Sequence, residues 1–399
     1  MKYIVLVPDG MADYPVEILG HKTPLEVART PHMDYLAQNG FLGLVKTIPD
    51  QMSPGSDVAN LALLGYDPQR YFFGRAPLEA ANLDITLQED EVAFRCNLVT
   101  VESDQMADYS AGHISTQEAS LLIQALNDQF QLPHIKFYAG KSYRHLMVMK
   151  SPRTKELLEI RCVAPHDIAG QNLGPHWPQG PGAEELKTLM EKSQDILAAH
   201  PVNGVRIDLK ENPANMIWLW GQGKRPELPP FKEKFNLNGA IISAVDLING
   251  IGRLIGLKVV KVPGVTGYYD TNYLGKAQYA LKALRRRDFV FIHVEATDEA
   301  GHNGDIKMKM ACIERIDKEI VGTLLDYYKK KSHVRILVLP DHATPVEKRC
   351  HVSDPVGFVM FGQGISSNGA FEYNERVARE KGLKFQSGEE LLRYFLKQE

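Results

Sequence analysis

Continuous apolar runs and amphipathic segments follow one another at both ends of the chain. The runs YIVLV, FVFIHV and VRILVLP each lead into a polar or glycine-containing turn, which is typical of parallel strands buried on both faces. The segments with helical periodicity are EVARTPHMDYLAQNG, DLINGIGRLIGL, DTNYLGKAQYALKALRRR and KMKMACIERIDKEIVGTLLDYYKKK. This pattern predicts a doubly wound α/β domain with a mostly parallel sheet.

The middle of the chain has a different pattern. The segments VAFRCNLVTV, KFYAGKSYRHLMVMK and LLEIRCVAP predict strands, and QEASLLIQALNDQF and GAEELKTLMEKSQDILAAH predict helices. These elements indicate an α+β domain inserted into the first domain, with the proline-rich stretch GQGKRPELPPFKEKF as a semi-rigid linker. We therefore expect residues 1–90 and 226–399 to form a catalytic core and residues 91–225 to form an inserted cap domain.

Composition narrows the class of protein. The 399 residues are 44% hydrophobic and 24% charged, as in globular chains of two domains, and the net charge of -3 offers no basic field for nucleic acid or an anionic membrane. The four cysteines are widely spaced, which favours reduced thiols in a cytoplasmic protein. No signal-peptide pattern or apolar stretch of roughly 18 residues is present. The oligomeric state stays open, a homo-oligomer included.

Metal-ligand side chains follow the predicted strands. In ATDEAGHNGD, Asp298 and His302 are four residues apart, so one helical turn would place them on the same face. Taken singly, such an aspartate could cap a helix and such a histidine could be an ordinary core or surface residue, but this explanation is weak for the whole set. Carboxylate with imidazole suits Zn, Mn, Co or Fe, whereas Mg favours oxygen alone. The set fits two divalent ions and comprises Asp9, Asp298, His302, Asp341, His342 and His351.

Ser56 is the candidate nucleophile. It follows Pro54-Gly55 and precedes a helical pattern, VANLALLG. A serine in this position is most often an ordinary helix N-cap. A metal-bound serine hydroxyl, however, ionises at neutral pH without a histidine base, and a helix N-terminus favours phosphate. The motif alone leaves both interpretations open.

The chain resembles the archaeal-type cofactor-independent phosphoglycerate mutases of the alkaline phosphatase superfamily. The resemblance extends over essentially the whole chain and implies an alkaline phosphatase-like core. The motifs that carry it are VPDGMAD, PGSDVANLALLGYDP, GRAPLEAANLD, FRCNLVTV, YRHLMV, GAIISAVDLINGIGRLIGL, VTGYYDTNYLGKAQYAL, EATDEAGHNGD, LPDHATP and RCHVSDPVGF.

The resemblance implies a role for each candidate residue. Ser56 would be the phosphorylated nucleophile, and Lys276 would contact the transferring phosphoryl oxygens, although a solvated helix lysine is the ordinary explanation for Lys276. One ion would be held by Asp9, Ser56, Asp341 and His342. The second ion would be held by Asp298, His302 and His351. The identity of the ions, whether Mn, Co, Zn or Mg, is left open, with manganese a leading choice.

Substrate-binding residues are expected in the inserted domain. Arginine binds phosphate and carboxylate bidentately, so a net-acidic protein that handles a phosphorylated acid needs such side chains. About half of the candidates could be ordinary surface arginines or turn histidines. The candidates are Arg75, Arg95, Asp108, His113, Arg144, His145 and His166.

The predicted activity is the interconversion of 3-phosphoglycerate and 2-phosphoglycerate through phosphoserine, without bisphosphoglycerate. A related metal-dependent phosphotransferase or phosphatase, such as a homoserine kinase-like enzyme, would share every metal ligand, although no G-x-x-x-x-G-K-[ST] loop is present. A non-catalytic metal-binding protein is the alternative from another class. It would leave Ser56 and Lys276 without a purpose.

Overall fold

The computed structural model describes residues 1–71, 74–331 and 333–396. The strands are β1 (Lys2–Pro8), β2 (Phe41–Val45), β3 (Glu91–Glu102), β4 (Gln105–Asp108), β5 (Ile135–Lys141), β6 (Arg144–Lys150), β7 (Met216–Lys224), β8 (Gly239–Ile242), β9 (Lys258–Val259), β10 (Phe289–Val294), β11 (Val334–Val338), β12 (Val356–Gly362) and β13 (Leu383–Phe385).

The helices are α1 (Pro24–Val27), α2 (Pro31–Asn39), α3 (Ser56–Leu63), α4 (Pro68–Tyr71), α5 (Ala76–Asn82), α6 (Thr116–Phe130), α7 (Thr154–Glu159), α8 (Ala183–Ala198), α9 (Pro201–Asp208), α10 (Phe231–Phe235), α11 (Asp246–Leu254), α12 (Tyr273–Leu284), α13 (Ala296–Asn303), α14 (Ile306–Arg315), α15 (Gly322–Lys330), α16 (Glu375–Lys381) and α17 (Gly388–Leu396). A π-helical segment, Ile316–Val321, joins α14 to α15. Within the described residues, no helix combines the length and the apolar character needed to cross a lipid bilayer.

The chain divides into two compact units. The larger unit comprises Met1–Phe72 and Leu228–Glu399, and the smaller unit comprises Phe73–Glu227. The larger unit contains an eight-stranded sheet in the order β13-β2-β12-β11-β1-β10-β8-β9. Most neighbours are parallel, but β12 runs antiparallel to both β11 and β2. The larger unit is thus a mixed α/β fold with a parallel-rich sheet, as the apolar runs predict.

The central strands are mostly apolar and are buried on both faces because helices cover the sheet. Strand β1 lies between β10 and β11 and is parallel to both. Helix α12 buries Tyr273, Ala277, Ala280 and Leu284, a spacing that puts all four on one helical face. Since β1, β10 and β11 point the same way, their carboxyl ends meet at one edge of the sheet. The polar residues that follow these strands are therefore brought together.

The smaller unit is built on an antiparallel sheet of five strands. Its long strand β3 pairs with β4, β6 and β7, and helices α6 and α8 supply apolar residues to its core. Helix α5 belongs to this unit because Ala76 and Ala80 pack against Ala93, Leu146 and Val148. The unit therefore begins earlier than the residue 91 expected from the sequence.

Two segments of the smaller unit differ from the sequence pattern. The strand predicted for LLEIRCVAP is wrong, because its first residues belong to helix α7. Strand β7, which contains both tryptophans of NMIWLWGQG, was not predicted as a strand. The indole Nε1 of Trp218 donates to the carbonyl oxygen of Val163 and that of Trp220 to Asn97 Oδ1. Both rings are buried in the core.

Candidate active site

The loops after β1 and β11 are tied together at the edge of the large sheet. Asp9 follows β1 directly, and Asp341 lies three residues after β11. Asp341 accepts hydrogen bonds from the backbone N–H groups of Gly10 (3.2 Å) and His342 (2.9 Å). Gly10 has φ +60°, and a Cβ there would come within 2.8 Å of Asp298 Cα. Glycine at this position therefore allows the loop after β1 to lie close to the Asp298 backbone.

Asp298, His302 and His351 converge at one point. Asp298 and His302 lie one turn apart on α13, and Asp298 Oδ2 is 3.3 Å from His302 Nε2. His351 Nε2 lies 3.4 Å from Asp298 Oδ1 and 2.9 Å from His302 Nε2. The hydroxyl of Thr344 also donates to Asp298 Oδ1. His302 Nδ1 is 3.0 Å from the Arg349 carbonyl oxygen, so donation there leaves Nε2 free to bind a cation.

Ser56 lies beside a second group of ligands. It is the first residue of α3, and its Oγ is 3.1 Å from His342 Nε2. The same imidazole nitrogen lies 3.5 Å from Asp9 Oδ1 and 3.6 Å from Asp341 Oδ2. Asn60, one turn into α3, donates from Nδ2 to Asp341 Oδ2 (2.7 Å) and to the Ser56 carbonyl oxygen (2.8 Å). Asn60 thus fixes the start of α3 against the Asp341 carboxylate.

His342 lies between the two groups. Ligand atoms of Asp298, His342 and His351 fall within 4.8 Å of one another. The ring centroids of His342 and His351 are 4.0 Å apart. The six residues predicted as metal ligands therefore form one continuous cluster with Ser56 at its side.

A buried ionic chain lies behind the Asp9 carboxylate. His293, inside β10, has Nε2 at 3.3 Å from Asp9 Oδ2 and Nδ1 at 3.1 Å from Glu295 Oε1. Glu295 Oε2 is 3.0 Å from Lys276 Nζ, which also donates to the carbonyl oxygen of His293 (2.6 Å). Lys276 is fully buried, so the explanation of a solvated helix lysine is wrong. Contact between Lys276 and a phosphoryl group would require the Lys276–Glu295 ion pair to separate.

The electrostatics of the cluster favour cations. Burial and the charges of Asp341 and Asp298 raise the pKa of Asp9 well above its usual value. Burial opposes ionisation of Asp298 too, but His302 and His351 hold its pKa well below the usual range. Asp9 Oδ1 has no hydrogen-bond partner within the described residues. Clustered carboxylates, imidazoles and an unpaired buried oxygen fit divalent metal ions of the type that accepts both nitrogen and oxygen.

Four of the predicted substrate-binding residues share one region of the smaller unit. The Arg95 guanidinium lies 2.9 Å from Glu79 and 4.2 Å above the Trp220 ring. Burial lowers the pKa of Arg95, and Glu79 opposes this shift; burial also lowers that of His166. The positive charges of Arg75 and Arg144 strengthen both shifts, so these side chains lie near Arg95 and His166. The cations of this region are Arg75, Arg95 and Arg144, and the lowered pKa leaves the His166 ring neutral at pH 7.

The other three candidates have local partners. Asp108 accepts hydrogen bonds from Ser110, Gly112 and Asn212, which is a loop-forming role. The ring of His113 lies 6.0 Å from that of Tyr143, the residue whose hydroxyl accepts from Arg144. His145 is buried, and its Nδ1 accepts from the Gly140 N–H. Burial lowers the pKa of His145 to about 3, so the ring is neutral.

A close relative identifies the family. The 2,3-bisphosphoglycerate-independent phosphoglycerate mutase of Methanothrix thermoacetophila is 47% identical over 397 residues, which cover 99% of this chain and 100% of the relative. The chain belongs to this mutase family. A family model described as 2,3-bisphosphoglycerate-independent phosphoglycerate mutase matches residues 37–203.

Two solved structures are similar to this chain over its whole length. The cofactor-independent phosphoglycerate mutase from Thermoplasma acidophilum is similar with a TM-score of 0.70 and 27% identity, and the match covers 100% of both chains. The PH0037 protein from Pyrococcus horikoshii has a TM-score of 0.84 and 29% identity, with coverage of 100% of this chain and 98% of that one.

The sequence pattern of this mutase-family chain did not single out His293, Glu295 or Asn60. His293 lies within the apolar run of β10, and Glu295 follows that run, so neither residue stands out as a site residue. The available signal was a histidine inside an otherwise apolar central strand, two residues before a buried glutamate. Such a pair in a core needs compensating partners. Asn60 gave no signal, because its partner Asp341 is distant in the chain.

Proposed function

We propose that this protein interconverts 3-phosphoglycerate and 2-phosphoglycerate through a phosphoserine at Ser56. The observation that carries the proposal is the Ser56 hydroxyl, 3.1 Å from His342 Nε2 at the side of the carboxylate and imidazole cluster, in a chain 47% identical to a named mutase. Full-length similarity favours a shared reaction. The Ser56 hydroxyl is placed where it could carry the phosphoryl group during that reaction.

The metal ligands would divide into two sets. Asp9, Ser56, Asp341 and His342 would hold one ion. Asp298, His302 and His351 would hold the other. Bound divalent ions would lower the pKa of the serine hydroxyl and offset charge on the phosphoryl oxygens. The donor set favours Mn, Co or Zn over Mg, which prefers oxygen ligands.

Ser56 would first accept the phosphoryl group and then return it to the other hydroxyl of glycerate. The N-terminus of α3 favours the added negative charge, and Asn60 keeps that helix end fixed against Asp341. Glycerate must stay bound meanwhile, because water at the phosphoserine would release inorganic phosphate. We assign this retention to the smaller unit, as an inserted cap domain.

The cationic region of the smaller unit is the best candidate for the anionic groups of the substrate. The Nε atom of Arg95 is buried without a hydrogen-bond partner among the described residues, Arg75 and Arg144 add positive charge nearby, and His166 offers a neutral ring beside them. Arginine suits carboxylate and phosphate. His113 is a further candidate through Tyr143. Asp108 and His145 would act indirectly by shaping their loops.

The role of Ser56 can be tested by trapping. Incubation with 3-phosphoglycerate should leave a phosphoryl group on Ser56, and Ser56→Ala should abolish isomerisation while the cluster still binds metal. With unlabelled substrate and free labelled glycerate, the product should stay unlabelled. A dependence of the wild-type reaction on ATP would instead favour a kinase, and release of inorganic phosphate a phosphatase. Near-normal isomerase activity of Ser56→Ala would contradict the proposal.

A further inference from the structure

His293 has an unpaired nitrogen beside the candidate metal ligands. The residue is fully buried in β10 and pairs with Val7 of β1, two residues before Asp9. Its Nε2 atom approaches Asp9 Oδ2 to 3.3 Å but makes no hydrogen bond to any described residue. A buried nitrogen in this situation needs either a proton that pairs it with the Asp9 carboxylate or a cation that both groups bind.

The other ring nitrogen is already satisfied. His293 Nδ1 lies 3.1 Å from Glu295 Oε1 and 3.3 Å from Ser243 Oγ. Glu295 is in turn paired with buried Lys276. Metal-bound histidines usually donate their second N–H to a carboxylate in this way. Donation from Nδ1 leaves a lone pair on Nε2 that faces an oxygen of Asp9, and a cation between the two acceptors would satisfy both.

The distances allow such a cation. One ligand atom each from Asp9, His293 and Asp341 lies within 4.8 Å of the others, so a cation among them would be near all three, and side-chain adjustments of a few tenths of an ångström would give bonds of about 2.0–2.2 Å. We propose that His293 Nε2 is a ligand of the ion held by Asp9 and Asp341. This inference rests on the proposed function and adds a ligand that the sequence resemblance does not supply.

A different role for His293 would give the same static arrangement. As a protonated imidazolium, His293 could pair with Asp9 and Glu295 and merely orient the Asp9 carboxylate. In the proposed role the nitrogen carries a metal ion, and in the alternative it carries a proton. The two roles therefore differ in a spectroscopic property of the bound ion.

Cobalt substitution distinguishes these roles. Protons on the N–H groups of histidines that bind paramagnetic Co²⁺ have large hyperfine shifts, and ¹⁵N-histidine labelling identifies them as doublets. The full-length wild-type protein loaded with Co²⁺ should give four such signals, from His293, His302, His342 and His351. His293→Gln should lack one of them. Glu295→Gln should displace that signal without removing it and should weaken Co²⁺ binding at one site by about 10–100-fold.

The controls separate this inference from the proposed function. His32→Gln removes another histidine that is paired with a carboxylate, Asp317, and should leave all four signals unchanged. Three wild-type signals, or an unchanged set in His293→Gln, would overturn the assignment of His293 alone. Absence of every shifted histidine signal would overturn the metal cluster itself. The wild-type count decides the question even where His293→Gln does not fold.

Discussion

Replacement of Lys309 by methionine should strongly destabilise the larger unit. Lys309 and Asp13 are both buried, and Lys309 Nζ lies 2.7 Å from Asp13 Oδ2. The same ammonium group donates to the carbonyl oxygens of Ala12 (3.2 Å) and Thr344 (2.9 Å). One cation thus joins helix α14 to the loops that follow β1 and β11.

The expected loss follows from what remains after the substitution. Methionine fills a similar volume, so the cost comes from the Asp13 carboxylate, which keeps its hydrogen bonds from Tyr14 and Val346 but loses its cation. Breaking a buried pair from one side costs about 3–5 kcal/mol. The two carbonyl oxygens also lose their donor, which places the value toward the upper end of that range. Adding Asp13→Asn removes the unpaired charge and should recover about 2 kcal/mol or more.

Urea unfolding with a metal chelator present measures these differences without a contribution from bound ions. Lys307→Met is the matched control, since Lys307 is an exposed lysine on the same helix and should change stability by at most about 0.5 kcal/mol. The explanation by an unpaired charge fails if Lys309→Met stays within about 1 kcal/mol of this control. It also fails if Asp13→Asn brings no recovery in the Lys309→Met background.

Three further predictions concern the site and its surroundings. Chelation should abolish isomerase activity in a coupled assay, and Mn or Co should restore it better than Ca because imidazole ligands are present; full activity without metal would contradict the two-ion proposal. Asp298→Ala and His351→Ala should each lose activity by about 100-fold or more and keep the wild-type circular dichroism spectrum, whereas unfolding of both at room temperature would indicate a structural metal. Burial raises the pKa of Glu375 from 4.5 to about 7, so the folded state retains a proton that the unfolded state has lost, and stability should fall by up to about 3 kcal/mol as pH rises through this window. Glu375→Gln should lack that decrease in urea unfolding at pH 5 and pH 8, and equal pH dependence of the two proteins would contradict the assignment.

The grouping of the aspartates at the carboxyl ends of the strands could be predicted from the sequence, because two simple rules apply there. Apolar runs buried on both faces predict parallel strands, and the carboxyl ends of parallel strands meet. Asp9, Asp298 and Asp341 follow such runs, and the structure places them in one cluster. The position of each aspartate, just after an apolar run, carries the necessary information.

Features that depend on distant partners could not be predicted in this way. A lysine in a helical pattern is normally solvated, and the burial of Lys276 depends on Glu295 in another element. The sequence of helix α5 does not show to which unit the helix belongs, because its packing against β3 and β6 decides this. The cationic region likewise combines residues from separate strands and loops, which a linear pattern does not bring together.

The position of β1 has a consequence for biosynthesis. Tyr3 of β1 pairs with Phe289 of β10 and with Arg335 of β11, so β1 leaves the ribosome long before either of the two strands that flank it in the sheet. At about 5–20 residues per second, this wait lasts on the order of tens of seconds. The smaller unit, one continuous segment, can complete its sheet during that time. The apolar strand β1 is therefore a segment of the nascent chain that would benefit from protection by a chaperone.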